Sequence, residues 1–488
     1  HLIILLHKNS KTSSQNKFII TYLPLRTIHF IRINLVSEYK EHLIILLHKN
    51  SKTSSQNKFI ITYLPLRTIQ FISFALIISF SDRRSEYGIC AHCNEDNTQP
   101  AWCLSCDPDK ATRWTSGNKN IDDCMKAFQL RTFTYNDAIE WIPFDRLSVV
   151  EEVGKGGFGS VYKATWLDGI RKIDDDNYKR TREASSTVAL KTLSDGSLKE
   201  FENHMKCILN NNYRLKIYGL TQSSKNNKYF IVLQYVDNGN LHKFLKTNFQ
   251  EVNWKTKLKL LLDISKDLYW IHYAGYIHAD FHSGNILQDK GISTTLQSYI
   301  ADLGLSKKTN ENGSEGEIYG VMPYVAPEVL LGEKLTEAAD IYSFGVIMSE
   351  MSTGQRPFDG HKFNAKLGAD ICKGLRPELA SGTPKCYIEL AKKCMNSDPQ
   401  KRPTADGIWD LLEEWNKRIE SSDDTDEIKK QFLKADKVIK LLPISKHPDE
   451  MYTSKIISTK LISKAIKGIY FQLTYIVLKL YYIDLVKR

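Results

Sequence analysis

YIHADFHSGNIL, residues 276–287, has the most informative spacing in this sequence. It places Asp280 five positions before Asn285, in a loop too polar and too glycine-containing to form a helix. A further aspartate, Asp302, follows an apolar run in the segment IADLGLS. Asn285 and Asp302 offer one neutral and one charged oxygen, which are ligands that Mg²⁺ prefers together with phosphate oxygens. Asp280 is then left to accept a proton.

A glycine-rich segment lies upstream, EVGKGGFGSVYKA at residues 152–164. Its glycines let backbone N–H groups approach phosphate oxygens closely. A Rossmann or P-loop site would need a helix directly afterwards, whereas SVYKATW alternates as a strand does. We therefore predict a β-hairpin here, although a hairpin turn without any ligand would have the same letters.

The run TVALK, about thirty residues further on, places Lys191 on a predicted strand. A single lysine on a strand is most often a solvated edge residue. Its neighbours Val188 and Leu190 face the other way. A function for the Lys191 ammonium group is indicated only by the motifs that lie further along the chain.

Secondary-structure patterns divide the central part of the chain into two regions. Short β-branched runs occur up to about residue 236, and long helical runs begin at about residue 253. WKTKLKLLLDISKDLYWIHYAG predicts a helix that ends at Gly275, and its apolar stripe is formed by Leu258, Leu261, Leu262 and Leu268. Thr336 and Thr404 are predicted as N-caps of two later helices. A β region followed by an α region indicates two lobes with a cleft between them.

Residues 147–416 resemble the eukaryotic protein kinase family. The resemblance is carried by seven segments in the family's order: the glycine loop, VALK, HADFHSGN, DLG, APE, DIYSFG and DPQKRP. It implies an α+β fold with a β-rich N-lobe (147–236) and an α-helical C-lobe (237–416). The catalytic-loop text and the WLDG insert look most similar to the tyrosine-kinase-like group, including a fungal branch with a cysteine quartet upstream.

The resemblance also implies roles for single residues. Lys191 would contact the α- and β-phosphates of ATP, Asp280 would orient or deprotonate the substrate hydroxyl, and Asn285 and Asp302 would hold Mg²⁺. Leu233 looks like the gatekeeper. The implied nucleotide-binding set is Val153, Gly154, Lys155, Gly156, Gly157, Phe158, Gly159, Val161, Ala189, Lys191, Gln234, Val236, Asn240 and Leu287. The apolar members of this set would be equally apolar if they only packed the core.

Three further residues are implied to support the scaffold. Glu328 of APE and Arg402 of KRP would form a buried ion pair, and Asp340 would brace the catalytic loop.

Several departures from the family pattern affect the prediction. Ala279 replaces an arginine that usually pairs with a phosphorylated activation segment, and Leu303 replaces a phenylalanine. His282 occupies a position where Ser/Thr kinases often have lysine. In the family register His204 falls where a glutamate normally pairs with the strand lysine, and Glu200, one turn away, is the candidate substitute.

We therefore predict a protein kinase that transfers phosphate from Mg-ATP to a protein hydroxyl in signal transduction, Ser or Thr in preference to Tyr. Gly284 stands where tyrosine kinases tend to carry arginine, and dual specificity is left open. The alternative is a pseudokinase scaffold that binds ATP without efficient transfer. Hypothetical phosphorylation sites in the activation segment are Ser306, Thr309, Ser314 and Tyr319.

Four cysteines upstream form a CxxC-x9-CxxC array: Cys90, Cys93, Cys103 and Cys106. Such an array can bring four thiolates around a structural Zn²⁺ ion. Two disulfides or unliganded thiols are the alternatives, and a cytoplasmic, reducing location favours the metal. The other five cysteines are predicted as core residues.

The ends of the chain carry its basic character. Residues 1–80 contribute +8 and residues 455–488 contribute +6 of the formal net charge of +11, which leaves −3 for the centre. A nucleic-acid partner is therefore not expected, whereas ATP and protein substrates are. Residues 1–28 recur without a single change at 42–69. We expect no folded role for 1–80. A membrane span at 59–80 is the less favoured alternative, because Pro65, Arg67 and Gln70 interrupt its apolar run.

These patterns give a predicted domain order. Residues 81–125 form the cysteine module, 126–146 a linker, 147–416 the kinase domain and 417–488 a C-terminal tail.

Overall fold

The computed structural model describes residues 3–8, 18–22, 45–46, 83–156, 159–193, 198–210, 215–290, 296–309, 317–438 and 446–468. The chain divides into two compact units, residues 1–107 and residues 108–488. Among the described helices, none is long and apolar enough to cross a membrane. The segment 59–80, considered above as a membrane span, lies outside the described residues.

The first unit contains a small sheet and the cysteine segment. Strand β1 (Ile3–Lys8) pairs antiparallel with β2 (Phe18–Tyr22) on one side and with β3 (Ile45–Leu46) on the other. These strands are the described parts of the duplicated segment. Helix α1 (Asp107–Ala111) begins at the last residue of the unit.

The second unit begins with a six-stranded sheet and two helices. The sheet order is β4-β10-β11-β9-β6-β5, and all neighbours are antiparallel except β4 and β10. The elements are α2 (Lys119–Gln129), β4 (Glu140–Trp141), β5 (Leu147–Gly156), β6 (Gly159–Trp166), β7 (Arg171–Ile173), β8 (Arg180–Arg182), β9 (Ser186–Thr192), α3 (Lys199–Asn210), β10 (Ile217–Gln222) and β11 (Tyr229–Gln234). Both helices contribute to one apolar cluster with the sheet, in which Phe128 meets Phe201 edge to face.

The remainder of the second unit is mainly helical. Its elements are α4 (Leu241–Asn248), α5 (Trp254–Tyr273), β12 (Tyr276–Ile277), β13 (Ile286–Asp289), β14 (Gln297–Ile300), β15 (Lys307–Lys308), β16 (Glu317–Gly320), α6 (Pro327–Leu330), α7 (Glu337–Thr353), α8 (Ala365–Cys372), α9 (Lys385–Cys394), α10 (Ala405–Glu420), α11 (Glu427–Asp436), β17 (Lys455–Ser458) and α12 (459–468). Helix α7 is buried along most of its length and forms the centre of this lobe.

Local sequence explains where these helices begin and end. Leu258, Leu261 and Leu268 of α5 are fully buried, and the chain leaves this helix at Gly275 with φ +78°. Thr404 is the predicted N-cap of α10, and its hydroxyl accepts a hydrogen bond from Gly407 N. Thr336 occupies the N-cap position of α7, but its side chain makes no capping hydrogen bond.

Candidate active site

Three charged side chains from separate elements meet on the face of the six-stranded sheet that packs against α3. Lys191 on β9 places its Nζ 2.5 Å from Glu200 Oε1 of α3 and 2.8 Å from Asp302 Oδ1, which follows β14. All three residues are largely buried, so this is an ion-pair cluster with little access to water. The alternative of Lys191 as a solvated edge residue is therefore wrong.

The electrostatics of this cluster favour the charged forms. Burial alone would lower the pKa of Lys191, but Glu200 and Asp302 raise it above its usual value. Burial would raise the pKa of Glu200, but the Lys191 ammonium group, with His204, lowers it to about 2. Lys191 and Glu200 therefore form an ion pair at neutral pH.

The family register proposed for α3 is wrong at His204, and the substitute Glu200 is confirmed as the lysine partner. Only eight residues separate Lys191 from Glu200. Helix α3 begins at Lys199, so the residue that reaches Lys191 on β9 lies in the first turn of the helix. His204 lies one turn further on, with Nε2 3.8 Å from Glu200 Oε1, and accepts a hydrogen bond from Leu303 N at 3.4 Å. It therefore joins α3 to the DLG segment.

The catalytic loop is held by a buried aspartate of α7. Asp340 accepts hydrogen bonds from the backbone N–H groups of His278 at 2.8 Å and Ala279 at 3.1 Å. It also pairs with His272 Nε2 at 2.9 Å. Ala279 has φ +71°, a left-handed conformation that is costly for a residue with a Cβ atom. The bracing role predicted for Asp340 is present, and it holds the loop in this conformation.

Asp280, the predicted catalytic base, is buried and ionised. Burial would raise its pKa, but the neighbouring His282, the hydroxyl of Ser454 and His278 together lower it below the usual value. His282 Nε2 lies 3.7 Å from Asp280 Oδ2. A carboxylate in this state can accept a hydrogen bond from a substrate hydroxyl.

The two predicted magnesium ligands lie on adjacent backbone segments. Asn285 donates from Nδ2 to the carbonyl of Asp280 at 2.9 Å, and its own carbonyl accepts from Ala301 N at 2.8 Å. Asn285 is thereby fixed beside Asp302, which has the left-handed φ of +66°. The Asn285 side-chain oxygen and the Asp302 carboxylate are the two types of ligand that a hard cation binds.

The predicted nucleotide-binding residues come from both lobes. Gly154, Lys155 and Gly156 end β5, and Val153 is partly exposed there. Gly159 begins β6 with φ +135°, and a Cβ atom there would lie 2.2 Å from Thr192 Oγ1, so a larger residue would be strained and would displace Thr192. Gly157 and Phe158 lie outside the described residues.

The remaining members of this set are apolar or have local hydrogen-bond partners. Val161 and Ala189 lie on β6 and β9, Leu233 and Gln234 end β11, Val236 follows it, and Leu287 lies in β13. Gln234 donates to Asp289 Oδ2 at 2.8 Å. Asn240 caps α4 and forms a β-bridge with Leu287, which joins the start of α4 to β13.

The scaffold ion pair and the activation segment are also defined. Arg402 forms two hydrogen bonds with Glu328, at 2.6 and 2.7 Å, and both side chains are buried, as predicted. Ser306 is buried and bonds to the carbonyl of His278, so it is not accessible for modification in this state. Ser314 lies outside the described residues.

The cysteine quartet of the first unit is a separate candidate metal centre. One Sγ atom from each of the four cysteines lies within 4.8 Å of all the others, and Cys93 and Cys103 are 3.9 Å apart. A tetrahedron with arms of about 2.3 Å has edges near 3.8 Å, so this arrangement fits Zn²⁺. All four residues are free thiols, and the disulfide alternative is absent from them.

The backbone around the four thiols has the form of two short turns. Cys90 N donates to Glu95 O, and Cys106 N donates to Cys103 O. A backbone hydrogen bond at Glu95 lowers the pKa of the Cys93 thiol to about 7, whereas burial raises the pKa of Cys106 to about 12. One thiol is thus readily deprotonated, and a cation would favour the thiolate form of the others.

Sequence analysis missed one residue at the active site. Ser454, near the C-terminus, donates from Oγ to Asp280 Oδ2 at 2.5 Å. It lies 174 positions away from Asp280 in the chain. Its only local signal was a hydroxyl residue just before a β-branched run in TSKIIST.

A β-rich lobe, a helical lobe, a strand lysine paired with a helix glutamate and a buried aspartate in the loop braced by Asp340 define the protein kinase-like fold class. The family model for protein tyrosine and serine/threonine kinases matches residues 147–412, more than half of the sequence. The chain belongs to this family.

Curated relatives agree with this assignment over the same region. A Dictyostelium discoideum protein named "Probable serine/threonine-protein kinase DDB_G0275165" is 30% identical over 276 residues, which cover 56% of this chain and 28% of the relative. Another from the same organism, "Probable serine/threonine-protein kinase drkB", is 27% identical over 274 residues, covering 56% of this chain and 37% of the relative. The chain therefore spans about a third of the length of these two relatives.

Proposed function

We propose that this protein transfers the γ-phosphate of Mg-ATP to serine or threonine hydroxyl groups of protein substrates in signal transduction. The observation that carries the proposal is the buried cluster of Lys191, Glu200 and Asp302, together with the ionised Asp280 on a loop that Asn285 joins to the residue before Asp302. The serine/threonine preference is supported by the names of the relatives.

Each residue of the cluster has a proposed task. Lys191 holds the α- and β-phosphates, and Glu200 keeps its ammonium group in place. Asn285 and Asp302 supply the oxygen ligands for Mg²⁺, which when bound neutralises phosphate charge. The glycine loop and the apolar residues around Ala189 hold the nucleotide. Asp280 accepts the hydrogen bond of the substrate hydroxyl and takes up its proton.

The proposal is tested by phosphate transfer from radiolabelled ATP to an added protein substrate such as casein. Asp280→Asn should lower the transfer rate by about 10²–10⁴-fold, because the amide cannot accept the proton. Asp410→Asn is the matched control, since Asp410 is an exposed aspartate of α10. Equal transfer by wild type and Asp280→Asn would overturn the proposal.

The pseudokinase alternative loses the observation that motivated it. It rested on a histidine in the place of the lysine partner, and Glu200 occupies that place at 2.5 Å. The partner of the strand lysine is therefore present, and it is Glu200 in the first turn of α3.

Further proposals concern the limits of the catalytic domain, the cysteine quartet and the cellular location. We propose that residues 147–416 are the catalytic domain, that Cys90, Cys93, Cys103 and Cys106 bind a structural Zn²⁺ ion, and that the protein is cytoplasmic. The near-neutral charge of residues 81–454 supports protein rather than nucleic-acid partners. Membership of the tyrosine-kinase-like group is supported by the catalytic-loop and WLDG text.

A further inference from the structure

The C-terminal segment 446–468 returns to the catalytic loop, and Ser454 contacts the proposed base. Ser454 Oγ donates to Asp280 Oδ2 at 2.5 Å, and His282 Nε2 lies 3.4 Å from the same Oγ. Asp280 Oδ1 has no hydrogen-bond partner in the part of the chain that the structure describes. A hydroxyl group of the chain itself therefore occupies the position where Asp280 would orient a substrate hydroxyl.

The hydrogen bonds around Ser454 leave one lone pair of its hydroxyl oxygen unused. His282 Nδ1 accepts a hydrogen bond from Gly284 N at 3.0 Å, so in the neutral ring the proton is on Nε2. Nε2 then donates to Ser454 Oγ, and the hydroxyl hydrogen points to Asp280. The second lone pair of Oγ is not used by either bond and can attack an electrophile.

The segment that carries Ser454 lies against the activation segment as a bound peptide strand would. Strand β17 pairs antiparallel with β16, and Gly320 is opposite Lys455 while Ile318 is opposite Ile457. Addition of an extended peptide to a free strand is a common mode of peptide recognition. The tail therefore covers the surface on which a substrate peptide would bind beside Asp280.

Two buried side chains fix the position of Ser454 in this groove. Tyr452 is buried, its hydroxyl donates to Pro357 O at 3.1 Å, and its ring lies 4.5 Å from the guanidinium group of Arg356. On the other side, Ile457 is buried in the core of the lobe. The serine thus lies between two anchors and is not a freely moving end of the chain.

We propose that Ser454 is an intramolecular phosphorylation site and that the tail blocks the substrate groove until this serine is phosphorylated. The inference rests on the kinase activity proposed above. Ser454 Oγ forms a bond to the γ-phosphorus of ATP while the bond from that phosphorus to the β,γ-bridging oxygen breaks. ADP leaves with that electron pair, and the hydroxyl proton passes to Asp280. The new phosphate carries a charge of about −1.5 to −2 beside a carboxylate, and the repulsion favours release of the tail.

The test uses the full chain with labelled Mg-ATP, phosphosite mapping by mass spectrometry, and an added peptide substrate. We expect one phosphate on Ser454, formed with a rate constant that is unchanged over about a 100-fold dilution of the protein, as an intramolecular step requires. Peptide phosphorylation should show a lag of the same duration, and preincubation with ATP should abolish it. Ser454→Ala should lose both the label and the ATP-dependent acceleration.

Thr453→Ala is the matched control, because Thr453 is an exposed neighbour whose hydroxyl donates to Glu450 O. It should keep the label and the lag. Transfer to the added peptide with an unmodified Ser454 would overturn this inference and leave the proposed function intact. A labelling rate that rises in proportion to protein concentration would also overturn it. Absence of label on every protein present would overturn the inference together with the proposed function.

Discussion

Lys191 is a buried ammonium group whose charge is balanced by two carboxylates with different tasks. Asp302 is also a proposed cation ligand, so the carboxylate that can remain with Lys191 throughout the reaction is Glu200. Its Oε1 lies 2.5 Å from Lys191 Nζ, and both side chains are about nine-tenths buried. Placement of the lysine against the phosphates therefore depends on the first turn of α3.

Glu200→Gln should lower kcat/KM for peptide phosphorylation by roughly 100-fold, because a displaced phosphate-binding group misplaces the reacting atoms. Glu202→Gln is the matched control, since it makes the same change on α3 at a residue that pairs with Lys206 and not with Lys191. Steady-state kinetics of both variants would check this. Equal activity of the two variants would show that Glu200 does not position the lysine.

The same pair predicts an acid-dependent stability. The pKa of Glu200 is about 2 in the folded protein and near 4.5 in the unfolded chain, so its contribution is fully present above pH 4.5. This contribution is lost as the pH falls from 4.5 towards 2. We expect the difference in unfolding free energy between wild type and Glu200→Gln to shrink over that range, as measured by denaturant unfolding. A difference that is independent of pH would contradict the assignment.

At the scale of elements, strand β17 pairs with the activation segment, a contact that the sequence does not predict. Ala279 stands where relatives of this fold usually have an arginine that holds a phosphorylated activation segment. In this chain the segment is instead paired along β16 with residues 455–458 of the tail. Backbone pairing and the burial of Ile457 therefore hold β16 in place while the tail is docked and Ser454 is unmodified.

Ile457→Asp should detach β17, because the variant places a charge at a position that is 6% exposed. The loss of a buried isoleucine corresponds to about 2 kcal/mol, so amide hydrogen exchange in residues 317–320 should become about 30-fold faster. Ile456→Asp is the matched control, since Ile456 lies on the same strand and is 67% exposed. Unchanged exchange in Ile457→Asp would mean that the tail does not order the activation segment.

At the scale of the whole molecule, the sequence predicts the parts of the site that depend on local spacing. The strand with Lys191, the loop with Asp280 and the cap at Gly275 each follow from patterns within one element, and the structure contains all three. The register of α3 was predicted wrongly at His204. The length of the segment before a helix is not encoded in the helix's own pattern, and here only eight residues separate Lys191 from Glu200.

The contact of Ser454 with Asp280 could not be predicted from sequence for a different reason. A serine in a strand-like run has no preference for a particular partner, and these two residues are 174 positions apart. Such a contact depends on the packing of Tyr452 and Ile457 against residues that are distant in the chain. Long-range contacts of this kind are determined by the whole chain and not by any local spacing.

The cysteine quartet leads to a prediction for the first unit. If the four thiols bind Zn²⁺, the purified protein should contain one zinc per chain, because one Sγ from each cysteine lies within 4.8 Å of the other three. Cys103→Ser should lose the metal, since a structural zinc site needs all four ligands. Elemental analysis after dialysis would measure the zinc content.

Cys386→Ser is the matched control, because Cys386 is a partly buried thiol outside the quartet, in α9. It should retain one zinc per chain. Chelator treatment of the wild type should then make the four quartet thiols reactive towards a thiol reagent and make residues 83–107 sensitive to protease, since structural zinc contributes directly to folding. Metal-free wild-type protein that resists protease as well as the zinc-loaded form would show that these turns fold without the ion.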